Sequence, residues 1–190
     1  MRFCIYLYFL FLFNFLYCFN LSAKETWVLD KNLSNINFEI PIFLAKNVQG
    51  KFKNIDGVVE IDLENQRNNK AIFSVNLESI EMNYIKYKPL LMSKVFFNTK
   101  NFPKAVVDTK KFSYVNEKTI DLNVELIIKG ISADVPLQLE IIKLAKELVQ
   151  IKGELSFSRT SFNIGTGKWS STAILRDNAL IKVNLFLYKN

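Results

Sequence analysis

Between residues 26 and 187 the chain repeatedly places an apolar residue at every second position with a polar one between, the pattern of a strand buried on one face of an antiparallel sheet. Ile36, Phe38, Ile40 and Ile42 alternate with Asn37 and Glu39; Val59, Ile61 and Leu63 with Glu60 and Asp62; Phe73, Val75 and Leu77 with Ser74 and Asn76. Further along, Ile120, Leu122, Val124 and Leu126 alternate with Asp121, Asn123 and Glu125, and Val135, Leu137, Leu139 and Ile141 with Gln138 and Glu140. The same period runs from Val149 through Phe157 and from Ile181 through Leu187, with weaker patterning at 26–30, 48–52 and 105–112. Turn chemistry separates the runs at Asp56-Gly57, Glu64 to Lys70, Asn116-Glu117-Lys118, Lys129-Gly130 and Gly165-Thr166-Gly167. No helical period long enough for a crossover intervenes, so a parallel sheet is excluded. Residues 84–98 break the alternation, with Leu90, Leu91, Lys94, Val95 and Phe97 at near-helical spacing and Pro89 where a first turn accepts it, and predict one short helix. Many similar strands leave edges to protect, and closure removes them. The expected fold is all-β: an antiparallel lipocalin-like barrel of about eight strands with one short helical segment.

The first 23 residues carry one charge, Arg2, then an almost unbroken apolar run ending at Ser22-Ala23, the layout of a cleaved signal peptide. The expected boundaries are a leader over 1–23 and a single domain over 24–190, exported to the periplasm. A run of seventeen residues, interrupted by Asn14, barely suffices for an anchor, and Tyr17 before Cys18 is bulkier than lipoprotein processing prefers. Both cysteines, Cys4 and Cys18, leave with the leader, and the chain has no histidine. The exported domain therefore has no Ser-His-Asp triad, no Cys-His pair and no His-based zinc site. Its carboxylates fall on the polar faces of strands, and Gly165-Thr166-Gly167-Lys168 lacks the four-residue spacer of a phosphate loop. No enzymatic activity, metal or cofactor is expected. The net charge of +7 becomes +6 without Arg2, with lysines spread along the chain and no nucleic-acid-binding signature, so nucleic acid is not an expected partner. Transient contact with a membrane surface is compatible with the basicity.

The order and spacing of several short motifs resemble the YceI-like, or polyisoprenoid-binding, family of exported bacterial proteins. These are Trp27-Val28-Leu29-Asp30, Ser34-x-Ile36-x-Phe38, Val48-x-Gly50-x-Phe52 and Gly57 to Asp62, then Ser79-Ile80, Phe96-Phe97-Asn98 with Phe102-Pro103, Leu126 to Ser132 with Val135-Pro136, and Arg159 to Gly165 with Trp169 beyond. The resemblance implies a lipocalin-like barrel whose tunnel holds a long isoprenoid or a related amphiphile, so that polyprenyl, quinone-tail and fatty-amide lipids are all candidate ligands for a carrier or reservoir. Where the family usually carries an Arg-Asp pair ahead of the helical segment, this chain has Tyr87-Lys88. A barrel filled by its own side chains, serving as an interaction or structural protein, is the alternative, and the oligomeric state, a homodimer included, stays open.

An open interior would be lined by Phe38, Ile40, Phe73, Val75, Leu91, Phe97, Leu122, Val124, Phe157 and Phe162, with Trp169 near an opening. Arg159 shares the inward side with Phe157, which requires either a structural carboxylate or a ligand head group as its partner.

Overall fold

The computed structural model describes residues 24–190 except Asn116, so the leader over 1–23 and the Asn116 part of its turn lie outside the described residues. Eleven strands form one antiparallel sheet: β1 (Lys24–Leu29), β2 (Asn35–Ile40), β3 (Val48–Phe52), β4 (Ile55–Asp62), β5 (Asn69–Asn76), β6 (Ile80–Met82), β7 (Lys104–Phe112), β8 (Thr119–Ile128), β9 (Ile131–Ala145), β10 (Leu148–Ser158) and β11 (Asn178–Lys189). The order β1-β4-β5-β7-β8-β9-β10-β11 closes on itself, because Trp27 to Leu29 of β1 pair with Leu187 to Lys189 of β11. The remaining strands extend members of this ring. β1 and β2 both run antiparallel to β11, β3 and β4 pair with β2 and β1, and β6 and β5 pair with β3 and β4. Each couple is one long strand interrupted once, and the whole is an eight-stranded up-and-down barrel.

The interruptions line up across the wall, and side chains replace the missing ladder bonds there. At the first, Asp30 accepts from the amides of Asn32 and Leu33 while the Ser34 hydroxyl accepts from the Phe186 amide at 2.9 Å. At the second and third, the Asn54 amide donates to Ser79 Oγ at 3.0 Å, and Ser79 Oγ donates to the Asn76 carbonyl at 2.6 Å. Ser34 and Ser79, met first as isolated motif letters, are thus the groups that keep a broken wall hydrogen-bonded.

One local expectation is corrected and another is met. Asp56-Gly57 is not a turn but lies within β4, the chain having already broken at Lys53-Asn54. Helical structure in residues 84–98 is limited to a 3-10 turn at Ile85–Tyr87 and helix α1 (Lys88–Met92), with Pro89 in its first turn. Ser93 ends it by turning extended, and its hydroxyl takes the Leu90 carbonyl at 2.6 Å.

The inward faces of all strands form one apolar core. Val124, Ile55, Leu77, Ile80 and Leu187 are its most deeply buried aliphatic members, and Leu187 sits at the closing β1–β11 seam opposite Leu29. Replacing Ser34 with Ala should orphan the half-buried Phe186 amide and cost about 1–2 kcal/mol. Urea unfolding of residues 24–190 measures this, and an unchanged midpoint would show that water fills the gap at no cost.

Candidate functional site

Each strand turns a column of apolar side chains inward, and in an eight-stranded barrel such columns either fill the lumen or leave room for one ligand. Here they leave a cavity of about 590 Å³. It runs along the barrel axis: β8 alone lines it from Ile120 to Ile128, eight steps of about 3.3 Å. The space survives because two of the largest inward side chains lie against the wall. Phe38 pairs across the ladder with Gly50, and Phe73 with Gly57. A Cβ on Gly57 would stand 2.1 Å from the Phe73 ring, and one on Gly50 would stand 2.4 Å from the Phe38 ring and 2.2 Å from the Glu81 carbonyl oxygen. Each ring occupies the volume its partner's side chain would have taken.

The two ends of the cavity differ. At the end holding α1, its walls are Leu91, Phe96, Ile128, Leu155, Phe157, Ile164 and Ala179, all buried. At the other end the lining includes the exposed residues Leu63, Lys143, Ala145 and Lys146, beside Tyr114 and the ion pair of Lys189 with Glu25. Burial raises the Tyr114 phenol above its ordinary value, and the nearby Glu117 charge adds to the effect.

Of the side chains expected inside, Phe38, Ile40, Phe73, Val75, Leu91, Phe97, Leu122, Phe157 and Arg159 do line this cavity. Three others do not. Val124 is fully buried, opposite Val135 on β9, without contributing to the cavity wall. Phe162 sits in a 3-10 turn (Thr160–Phe162) behind Phe157, edge-on at 5.3 Å. Trp169 likewise stands behind Phe96, edge-on at 5.9 Å, with its indole nitrogen buried and without an acceptor among the described residues. Lining residues not nominated from sequence include Trp27, Val59, Leu139, Ile181 and Val183. Their place in the alternation marks them inward as clearly as the ones that were.

Among the described residues, Arg159 makes no direct hydrogen bond to a carboxylate; Asp177 acts on it through its charge. The side chain is 0% exposed, and its guanidinium is spent on backbone carbonyls. Nε donates to Arg176 O at 3.0 Å, Nη1 to Ile164 O at 2.8 Å and Gly165 O at 3.5 Å, and Nη2 to Ser171 O at 3.2 Å and Leu175 O at 2.9 Å. Burial pushes this group down from its ordinary value, and Asp177 opposes that shift. A planar fork of five N–H donors has gathered the loop from 159 to 177 around itself. Gly165 permits the approach: its φ is +79°, and a Cβ would lie 2.6 Å from Nη1. No donor is left for a head group.

Two substitutions test this geometry. Gly57→Val should drive the Phe73 ring into the lumen, lower stability by about 1–3 kcal/mol and abolish uptake of an apolar fluorescent probe. Adding Phe73→Ala should restore uptake, and a double variant as inactive as the single one would place the probe elsewhere. Arg159→Lys keeps the charge but loses the fork, so denaturant unfolding should show a loss of about 3–5 kcal/mol; a loss under 1 kcal/mol would mean the loop holds its shape without the guanidinium.

Comparison with known proteins bears on the whole barrel. The YceI-like domain, as a family profile, matches residues 27–187. The chain is 28% identical over 112 residues to the UPF0312 protein plu2095 of Photorhabdus laumondii, covering 59% of this chain and 58% of that one. It is 25% identical over 107 residues to protein YceI of Escherichia coli O157:H7, covering 56% of each. The aligned part thus spans a little over half the length of these relatives. Among solved structures, Burkholderia cenocepacia BcnA superposes with a TM-score of 0.75 at 22% identity, over 83% of this chain and 98% of that one. A polyisoprenoid binding domain from Saccharophagus degradans superposes with a TM-score of 0.70 at 15% identity, over 86% and 98%. At these identities the superpositions establish the barrel fold, and the profile match along its full length establishes the lineage: the chain belongs to the YceI-like domain family.

Proposed function

We propose that this protein is an exported, periplasmic binding protein that holds a long-chain isoprenoid or a related amphiphile, such as a polyprenyl or quinone tail or a fatty amide, along the barrel axis as a carrier or reservoir. The observation that carries the reading is the axial cavity of about 590 Å³ with walls almost wholly of hydrocarbon. A fold neighbour described as a polyisoprenoid binding domain supports the ligand class. Binding, not catalysis, is the chemistry such a surface offers. Each CH₂ moved from water into the cavity gains about 0.8 kcal/mol before the cost of ordering the chain. With Arg159 tied to carbonyls, selection falls on the length and shape of the tail.

Extraction of purified residues 24–190 with organic solvent, followed by mass spectrometry, should yield a long-chain lipid near one per protein. Titrating the delipidated protein with isoprenoids of graded length should then show affinity rising severalfold per added unit until the cavity is full. Tight binding of a water-soluble head-group fragment, independent of any tail, would overturn the reading.

A further inference from the structure

The connections at the two ends of the barrel differ sharply in charge. At one end lie those joining β4 to β5 (63–68), β7 to β8 (113–118) and β9 to β10 (146–147), and their charges cancel: Glu64 with Arg67, Glu117 with Lys118, Glu147 with Lys146. At the other end, the connections over 41–47, 83–103, 129–130 and 159–177 hold nine cations and a single acid, Asp177. Arg159 and Lys129 are built into the fold, the latter through Nζ on the carbonyls of Lys94 and Asn163. Lys88 is tied in the same way, its Nζ donating to the Ile80 carbonyl at 2.8 Å, which leaves Lys46, Lys86, Lys94, Lys100, Lys168 and Arg176. Among the described residues, none of the nine is in an ion pair, while every such pair lies elsewhere.

The same end carries an apolar tip. Leu44 is 89% exposed, Ile174 66%, Ile85 64% and Phe43 53%. Hydrogen bonds hold their loops side by side: the Phe43 amide donates to Ile174 O at 2.9 Å, Ile42 bridges to Leu175, and the Tyr84 side-chain hydroxyl donates to Lys46 O at 2.8 Å. Arg176 lies over the Phe43 ring at 5.3 Å and Lys86 over the Tyr87 ring at 5.2 Å, so cations border the apolar side chains directly. The opposite end also exposes Leu63 and Val115, on loops without net charge, and Leu144 near the end of β9.

We infer that the end formed by loops 41–47, 83–88 and 171–176 docks peripherally on a bilayer surface bearing anionic lipids, with Phe43, Leu44, Ile85 and Ile174 entering the headgroup boundary and the unpaired cations bordering them meeting lipid phosphates. Exposed apolar side chains bordered directly by cations match that boundary in chemistry. Attachment is peripheral on this face: among the described residues, no helix is long and apolar enough to cross a membrane. The inference stands whether or not the cavity is loaded.

Residues 24–190 contain every strand of the closed barrel and suit the test, because the apolar leader would itself bind lipid. Flotation with vesicles of phosphatidylcholine alone, and of phosphatidylcholine with one quarter phosphatidylglycerol, should show binding to the anionic vesicles only, and its loss at 1 M salt. Lys46→Gln with Lys86→Gln should weaken binding about 25-fold, at about fivefold per lysine. Arg67→Gln with Lys118→Gln, the same charge change at the far end, should alter it less than twofold. Leu44→Ser with Ile174→Ser should weaken it at least tenfold with the charges intact. Since residues 24–190 contain no cysteine, a polarity-sensitive dye on Leu44→Cys reports insertion, and the same dye on Val115→Cys serves as control. A blue shift on anionic vesicles at 44 alone fits the inference. Equal losses from the two charge pairs, a shift at 115 as large as at 44, or no vesicle binding would overturn it, and the last would assign the patch to a protein partner.

Discussion

An eight-stranded ring fixes the barrel's radius, and that radius lies at the boundary between a lumen filled by side chains and one that admits a ligand. The outcome then depends on how the inward side chains lie, and two cross-strand pairs decide much of it here. Phe38 and Phe73 would cross the lumen if they projected straight inward. Opposite Gly50 and Gly57 each ring instead finds an empty place on the neighbouring strand. Both glycines stand in the interrupted β3–β4 strand, so one strand gives up side-chain volume and two adjacent strands lay their aromatic rings on it. The cavity is therefore built from omissions as much as from apolar residues.

The fold was legible because period-two alternation survives every interruption: apolar residues point inward on both sides of each break. Where the breaks fall was not legible. Asp56-Gly57 has the composition of a turn yet continues a strand, because its glycine is needed for Phe73 and not for a reversal. The short helix was legible but not its end: Leu90, Leu91, Val95 and Phe97 are spaced for burial, and Leu91 with Phe97 reaches the cavity across a chain that stops being helical at Ser93. Spacing reports which side chains are buried, and several backbone paths satisfy it.

Site residues were legible to the same depth. Alternation assigns a face but not which members of that face border open space, so Leu122 and Val124 read alike although only Leu122 lines the cavity. Phe162 and Trp169 lie outside the strands, where alternation says nothing, and both pack behind residues that do line the cavity. Arg159 lies inward as its place in the alternation implies, but its hydrogen bonds go to carbonyls and Asp177 reaches it only through charge. A buried cation suggests a carboxylate or a ligand, because no sequence pattern marks which carbonyls a loop will converge.

That convergence links the buried charge to the surface of the same end. Three of the carbonyls that hold the guanidinium belong to Ser171, Leu175 and Arg176, so the segment that exposes Ile174 is pinned from beneath on both sides of it. The bridge of Ile42 to Leu175 and the bond from the Phe43 amide to Ile174 then carry this placement to the next loop, whose tip is Leu44. Taking a guanidinium out of water costs several kcal/mol unless every donor is satisfied, and a loop of this length would lose considerable chain entropy in closing unaided. Five charge-assisted bonds offset both costs at once. The cation that cannot reach a ligand thus fixes the geometry of the apolar tip, while Leu91 and Phe96, buried beneath the same loops, close this end of the cavity.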